Sequence, residues 1–228
     1  MPKNIADKDL KVPGIVLRRT NYGEADRILN LITPVGKVAA IAKGARKEKS
    51  KLAGGIEMFS LTNFTIHRGK SELGVVTSAR MEKHYSEILK DFGRMELMGM
   101  ILKKISAAAE HTDGGEYFEI TRQCMAELNN GTNVVIVEVW FWLNLMRVSG
   151  EEVNLYRDGE GTELVEGVNY EWDVYERAFV KSVNGKYGTN EIKLLRLMTK
   201  MDLDVVKKIK IEPDVIERVY DIIKIWEN

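Results

Sequence analysis

The sequence is poor in the residues that build disulfides and metal centres. It has one cysteine, Cys124, in 228 residues, which excludes an internal disulfide and a four-cysteine zinc site. It also lacks an apolar run long enough to cross a bilayer, since the richest, residues 134–146, is short and is interrupted by Glu138 and Asn144. The first residues lead into no apolar segment, so we find no signal peptide. These absences predict a cytoplasmic protein without membrane contact.

Motifs for catalysis and cofactor binding are missing as well. His67, His84 and His111 are scattered and match no metal-ligand spacing. No GxxxxGK[ST] or GxGxxG stretch is present to cradle a nucleotide. No nucleophile, base and orienting group are visible as a set. We therefore expect no catalytic residue, no metal, no cofactor and no small-molecule substrate.

The zero net charge of the chain is a cancellation between its two parts. Residues 1–90 hold 17 Lys and Arg against 9 Asp and Glu, whereas the remainder holds 17 against 25. Lys43–Lys51, here called the basic loop, has five cations and one acid in nine residues. Such clustering favours a polyanion such as a nucleic acid as partner. The alternative is a solvated surface loop, which is the common meaning of a charge run.

Short runs with strand character dominate the first third of the chain. The five predicted strands are 12–20, 27–33, 37–42, 57–67 and 72–78. A sheet of such short strands removes its edges most easily by closing into a barrel. An OB-type barrel is the leading prediction, and an SH3-like barrel is the alternative.

The hydrophobic period changes to about 3.6 after Arg80, which predicts an α+β protein with a barrel domain at 1–80 and a helical domain at 81–228. An acidic, glycine-containing loop or hairpin is expected around 151–169. The apolar positions predict one helical face on 95, 98, 102, 105 and 109, a second on 117, 120, 124 and 128, a central buried helix at 134–148, helices at 170–183 and 191–200, and a last helix from Pro213.

Several motifs of the first third resemble the N-terminal domain of the bacterial RecO family. They are Gly14-Ile15-Val16-Leu17, Tyr22-Gly23-Glu24-Ala25-Asp26-Arg27, Gly36-Lys37, Ala42-Lys43-Gly44-Ala45-Arg46-Lys47 and Ser50-Lys51-Leu52. Their order and spacing carry the resemblance, and Arg68-Gly69 and Glu72-Leu73 follow where the family has them. Beyond this third, the resemblance holds only in outline.

The resemblance implies an OB fold followed by a helical domain. It also implies a nucleoid-associated, non-enzymatic recombination mediator that binds single- and double-stranded DNA and anneals complementary strands. Its partners would be a RecR-like mediator and single-strand binding protein (SSB), on whose DNA it helps load the RecA recombinase. One departure concerns the four-cysteine zinc module of many members, because residues 153–187 contain no cysteine. That puts any zinc, and partner contacts through such a module, in doubt.

The candidate DNA contacts are the cations of the barrel together with one tyrosine. They are Arg18, Arg19, Tyr22, Arg27, Lys37, Lys43, Arg46, Lys47, Lys49, Lys51, Arg68 and Lys70. Tyr22 is the candidate for stacking on a base. Arg18 and Arg19 are neighbours on a strand and should point to opposite faces. Arg27 has an equally good alternative, an ion pair with Glu24 or Asp26, and Arg68 and Lys70 could instead cap a hairpin.

The acidic, phenylalanine-ended tail of SSB would need an apolar pocket rimmed by cations. The candidate residues are Lys103, Lys104, Arg122 and Arg147. Two other functions stay open from the sequence. One is a general OB-fold RNA- or DNA-binding module without a mediator role, and the other is an adaptor whose basic loop meets an acidic protein.

Overall fold

A computed structural model describes residues 9–69, 73–109 and 115–227. The chain forms two compact units, one within residues 1–129 and the other within residues 130–228. The predicted boundary near residue 80 divides the chain differently, because it separates the barrel from the helices that follow it in the first unit. Each unit is described by itself below.

Five strands of the first unit form a closed barrel in the order β1-β2-β3-β5-β4. Their bounds are β1 Asp9–Tyr22, β2 Asp26–Thr33, β3 Gly36–Ala42, β4 Ser60–His67 and β5 Gly74–His84. β3 and β5 pair in parallel, whereas the other four neighbouring pairs are antiparallel. This order, with β4 returning to β1, is that of the OB fold and decides against the SH3-like alternative.

Alternating apolar residues explain why these strands close around one core. Leu29 and Leu31 of β2 and Phe64 and Ile66 of β4 are buried at every second position. The core cluster contains Val16, Leu29, Leu31, Ala40, Ala42, Ala45, Ile56, Phe64, Ile66 and Val76. A short 3-10 helix, Ala53–Ile56, lies against β5 so closely that a side chain at Gly55 would collide with the carbonyl oxygen of Ala79.

The first unit continues past the barrel into two helices. A 3-10 helix, Ser86–Lys90, leads to α1, Phe92–Ala108, and then to α2, Gly115–Asn130. Both predicted apolar faces are buried, except that Met95 on α1 is 38% exposed. His111, one of the three scattered histidines, lies outside the described residues. β5 extends to His84, four residues beyond the predicted end of the barrel domain.

The second unit is built around α3, Val134–Val148, which is buried over most of its length as its sequence predicts. Asn144 lies within this apolar helix and donates to the carbonyl oxygens of Trp140 and Met198. The other helices are α4 Thr189–Lys200, α5 Leu203–Val206 and α6 Pro213–Glu227. The last helix predicted from Pro213 is confirmed by α6, on which Val215, Val219 and Ile222 are buried.

The predicted helix at 170–183 is wrong, because this segment is a β-hairpin. β6, Tyr170–Asp173, pairs with β7, Ala178–Lys181, in antiparallel register. The hairpin is held by an aromatic cluster in which the ring of Phe179 meets those of Trp172 at 5.2 Å and Tyr187 at 5.8 Å, both edge to face. The preceding acidic segment, residues 151–169, contains no helix or strand among its residues, all of which are described, and its one bridge joins Arg157 to Glu163.

Candidate nucleic-acid interface

The basic loop leaves the barrel at the end of β3 and is folded in place. Ala45, in the middle of the loop's first half, is 3% exposed and belongs to the barrel core. Lys47 N–H donates to the carbonyl oxygen of Gly44 and Ser50 N–H to that of Lys47, which makes two consecutive turns. All five cations nevertheless point outward, namely Lys43, Arg46, Lys47, Lys49 and Lys51.

The β1–β2 turn holds the start of the basic loop through three hydrogen bonds. The N–H of Gly44 donates to Asp26 Oδ1 at 2.7 Å, and the N–H of Arg46 donates to the carbonyl oxygen of Ala25 at 2.8 Å. The guanidinium of Arg46 reaches the carbonyl oxygen of Gly23 at 3.3 Å. Gly23 and Gly44 have φ values of +53° and +64°, which explains glycine at both positions. The turn and the loop therefore form one structural element, here called the basic end of the barrel.

None of the five cations of the basic loop is neutralised by a carboxylate. Within residues 9–69, 73–109 and 115–227, no ion pair involves Lys43, Arg46, Lys47, Lys49 or Lys51. Five exposed positive charges against the single acid of the loop, Glu48, leave a net positive field at this end of the barrel. Such a surface suits phosphate groups, which bind cations with release of condensed counterions.

Tyr22 and Arg27 belong to the same end of the barrel. Tyr22 is 54% exposed and pairs with Asp26 in the β1–β2 register. Arg27 lies opposite Ala42, the last residue before the basic loop. The predicted alternative, an ion pair of Arg27 with Glu24 or Asp26, is not formed in the described chain; the Nε of Arg27 is buried and has no hydrogen-bond partner there.

Three other candidate DNA residues have different surroundings. Arg19 donates to Glu57 Oε2 at 2.8 Å, so its charge is partly neutralised. Lys37 donates to the carbonyl oxygen of Ser106 at 2.8 Å, at the beginning of β3 rather than its end. Arg68 is exposed and directly follows His67, which lies opposite Val75 of β5. The structure therefore gives Arg19 and Lys37 other partners than the basic end, and Lys70 lies outside the described residues.

Arg18 lies beside a cavity in the first unit, next to a β-bulge between Val16 and Arg18. This α1 cavity has a volume of about 550 Å³. Its lining is mostly apolar, with two cations, and consists of Leu17, Arg18, Met58, Phe59, Gly99, Leu102, Lys103, Ser106 and Ala107. The cavity combines an apolar floor with Arg18 and Lys103, both of which are exposed.

The remaining candidate partner residues do not join Lys103 in this cavity. Arg122 forms two hydrogen bonds with Glu119 one turn earlier on α2, one of them from Nε at 2.8 Å. Lys104 is half-buried on α1, and Arg147 belongs to α3 in the second unit. The predicted group of four is therefore reduced to Lys103, while Arg18 is a cavity residue that the sequence had suggested only for DNA.

The described residues were also compared with the requirements of a reactive cysteine, a metal site and a membrane span. Cys124 is fully buried, and burial raises the pKa of its thiol, so it behaves as a small hydrophobe. Outside the gaps in the described chain, no three His, Cys, Asp or Glu side chains are grouped to hold a metal ion. The described helices include none with the length and hydropathy needed to span a membrane.

Comparison with known proteins finds a family match over the barrel. Residues 8–85 match the family model described as "Recombination protein O N terminal". The chain is therefore similar to the RecO family of DNA repair proteins, most clearly over its barrel. The match begins just before β1 and ends just after β5, so the RecO family domain and the closed barrel coincide.

Relatives that carry the name "DNA repair protein RecO" extend the similarity beyond the barrel. The relative from Listeria monocytogenes is 27% identical over 215 residues, which cover 90% of this chain and 82% of the relative. The relative from Roseiflexus sp. is 26% identical over 215 residues, covering 91% and 76%. The relative from Dehalococcoides mccartyi is 30% identical over 150 residues, which cover 64% of this chain and 58% of that protein's own length.

Proposed function

We propose that this protein binds single- and double-stranded DNA without sequence preference and anneals complementary strands. In this role it is a non-enzymatic recombination mediator that helps load a recombinase onto SSB-coated DNA in the cytoplasm. The observation that carries the proposal is the basic end of the barrel, with five exposed cations that no carboxylate neutralises in the described chain. The repair role in the names of the relatives supports it further.

The mechanism is charge screening by a folded cation array. Lys and Arg contacts to phosphates fix the position of a strand but do not read its bases. Two strands repel each other through their phosphates, and cations between them lower this repulsion. Tyr22, half-exposed beside the loop, offers one ring face on which a base can stack without being chosen by sequence. The bases thus stay available for pairing with a second strand.

The test is the salt dependence of binding to a labelled single-stranded oligonucleotide, measured by fluorescence anisotropy. The wild type is compared with Arg46→Ala/Lys47→Ala/Lys49→Ala/Lys51→Ala. The slope of log affinity against log salt changes by about 0.7 for each phosphate that a cation neutralises on a single strand, so removal of four such cations lowers its magnitude by about 3.

A matched control removes four exposed cations from the second unit, with the variant Lys181→Ala/Lys186→Ala/Lys208→Ala/Lys210→Ala. It changes the net charge by the same amount, and we expect the slope to stay near that of the wild type. Equal loss in both variants would indicate a diffuse charge effect rather than a site. Absence of binding by the wild type at low salt would remove the DNA-binding proposal and favour the adaptor.

Annealing separates a mediator from a general OB-fold module. A fluorescence assay with two complementary strands, each coated with SSB, is expected to show faster pairing in the presence of this protein. DNA binding without faster strand pairing would support a general OB-fold nucleic-acid-binding module rather than a mediator. The contact with a RecR-like mediator is proposed from the family alone and is assigned no surface.

We further propose that the α1 cavity receives the acidic, phenylalanine-ended tail of SSB. An aromatic side chain fits an apolar cavity of about 550 Å³, and Arg18 and Lys103 lie where its carboxylates would meet a positive charge. Titration of a labelled tail peptide tests this, with Lys103→Ala expected to weaken binding and Arg122→Ala to leave it unchanged because Glu119 already pairs with Arg122. The reverse order of effects would move the site to α2.

Gly99 provides a variant that blocks the cavity without weakening the helix. The residue lines the cavity, and a Cβ there would meet open space. Gly99→Leu is expected to abolish peptide binding while raising helix stability by about 1 kcal/mol. Gly99→Ala is the control, since it gives a similar helix gain with much less obstruction.

A further inference from the structure

Asp26 is an acidic residue placed among cations that would bind phosphate. Asp26 is the first residue of β2, directly after the β1–β2 turn. Its neighbour Arg27 lies opposite Ala42, after which the basic loop starts. In the described chain Asp26 forms no ion pair; its carboxylate accepts one hydrogen bond, from the backbone N–H of Gly44 at 2.7 Å. A carboxylate at this position repels phosphate, so its presence calls for a compensating role.

The hydrogen bond to Gly44 fixes the first turn of the basic loop. Gly44 is in the left-handed region at φ +64°, and its carbonyl oxygen accepts from Lys47 N–H at 3.1 Å. Two residues later, Arg46 N–H donates to the carbonyl oxygen of Ala25. Among these hydrogen bonds, the one from Gly44 is accepted by a side chain, that of Asp26, whereas Ala25 and Gly23 accept through their carbonyl oxygens. It anchors Gly44, the residue at which the loop changes direction.

We propose that Asp26 is a positioning residue that holds the basic loop in its DNA-binding conformation. This inference rests on the proposed function of the loop. A cation array that is already ordered loses less conformational entropy on binding phosphates than a mobile one. Without the carboxylate, the Lys and Arg side chains keep their charges but lose their common orientation.

The proposal predicts a change in DNA affinity opposite in direction to that expected from charge alone. Removing a negative charge from a phosphate-binding surface strengthens DNA binding if only Coulomb attraction matters. Loss of the bond to Gly44 weakens binding if position matters. Asp26→Ala loses both the charge and the hydrogen bond, whereas Asp26→Asn loses the charge and keeps an oxygen that accepts from Gly44 N–H.

The experiment measures single-stranded oligonucleotide binding by anisotropy over a salt series for both variants of the full chain. We expect Asp26→Ala to bind about tenfold more weakly, the effect typical of removing one hydrogen bond to a charged group. Its salt slope should also fall in magnitude, by about 0.7 for each phosphate that is no longer bound. Asp26→Asn should bind at least as tightly as the wild type. An Asp26→Ala protein that binds as tightly or more tightly, with an unchanged slope, overturns the proposal.

Gly44→Ala perturbs the same turn without changing any charge. Its Cβ would lie 3.5 Å from Lys47 Cδ, so space is sufficient, but the positive φ strains an alanine. We expect weaker binding and a smaller slope, as for Asp26→Ala, with thermal unfolding confirming that the variants are folded. If the four-alanine loop variant loses slope but these two do not, Asp26 has no positioning role and the loop still binds DNA. If the four-alanine variant also keeps its slope, the loop is not the DNA site and the positioning role of Asp26 fails with it, and if the wild type does not bind at low salt, the proposed function itself fails.

Discussion

Cations of the second unit and of the basic loop have different electrostatic surroundings although they are the same residue types. In the second unit, Lys193 meets Glu166 at 2.6 Å, and Arg218 meets Glu191 at 2.7 Å and Asp214 at 3.0 Å. Lys208 and Lys210 lie within 3.8 and 3.6 Å of Asp204 and Glu212. In the basic loop, as far as the chain is described, the five cations have no such partner.

The distribution of acids, more than the number of cations, therefore decides which surface attracts a polyanion. Exposed ion pairs add little stability, typically about 0–1 kcal/mol each, but each pair cancels much of its own far field. The cations of the basic loop keep that field and can lower it only by binding an external anion. Four perturbations test whether DNA binding and stability depend on different parts of the molecule, and they are given in order of decreasing expected effect.

The largest effect is expected when the aromatic cluster of the second unit is broken. Phe179 is fully buried and packs edge to face against Trp172 and Tyr187. Phe179→Ala should lower the free energy of unfolding of that unit by about 3–5 kcal/mol, while the salt slope for DNA stays that of the wild type. Val180→Ala, on the same strand but 42% exposed, is the control. A reduced slope in Phe179→Ala would show that the second unit contributes to DNA binding.

Alkaline pH is expected to act on the second unit through Tyr187. Burial, with Glu171 and Asp221 adding to it, raises the pKa of this phenol from about 10 to about 12. Between these values the unfolded chain releases the proton and the folded chain keeps it, so stability is complete below pH 10 and falls as the pH rises to 12. The full loss is about 2–3 kcal/mol.

Denaturant unfolding at a series of pH values measures this loss, and Tyr187→Phe should flatten the curve. Tyr85→Phe, in the first unit, is the matched variant. Burial raises the pKa of Tyr85 too, but Arg122 opposes the shift, so we expect a smaller change. An unaltered pH curve in Tyr187→Phe would contradict the assignment.

Charge reversal in the basic loop should weaken DNA binding more than the same reversal among paired cations. Lys47→Glu/Lys49→Glu converts two phosphate contacts into two repulsions, and we expect an affinity about 30- to 100-fold lower at low salt. Lys208→Glu/Lys210→Glu makes the same change of net charge in the second unit and should have a small effect. Oligonucleotide anisotropy compares the two, and equal losses would refute the contrast between paired and unpaired cations.

The smallest effect is expected when the acids of the second unit are neutralised. Asp204→Asn/Glu212→Gln removes the partners of Lys208 and Lys210. If these ion pairs are what prevents Lys208 and Lys210 from attracting DNA, the affinity should rise by a few-fold at low salt. The gain should vanish at high salt as screening increases. No gain at any salt concentration would show that geometry as well as charge is needed.

The barrel was predictable from the sequence because its strands alternate, whereas the β6–β7 hairpin was not. Leu29 with Leu31 and Phe64 with Ile66 show period two between clear turns. In the hairpin the turn contains no glycine or asparagine: Arg177 adopts the left-handed conformation at φ +50°. The one available signal was Asp173, whose side chain accepts hydrogen bonds from Tyr175 and Glu176 N–H.

The cations of the candidate site were predictable from composition, but their supports were not. Lys43–Lys51 is recognisable by charge alone, whereas the bond from Gly44 to Asp26 depends on the register of the β2–β3 pair, which brings the start of β2 beside the end of β3. Likewise the pairing of Arg19 with Glu57 joins residues 38 positions apart. No local pattern reveals such contacts, because they depend on tertiary structure rather than on spacing.

Ala45 separates the anchoring of the basic loop from its charge. This residue is buried in the barrel core while its neighbours on either side carry the exposed positive side chains and the glycine turn. Ala45 therefore anchors the backbone from inside the barrel, in addition to the hydrogen bonds with Asp26 and Ala25, and the exposed lysines of the loop can be exchanged without removing this anchor. In evolutionary terms, the charge of the loop and the stability of the barrel are independently adjustable here, because substitutions of the exposed lysines change the charge while substitutions at Ala45 change the stability.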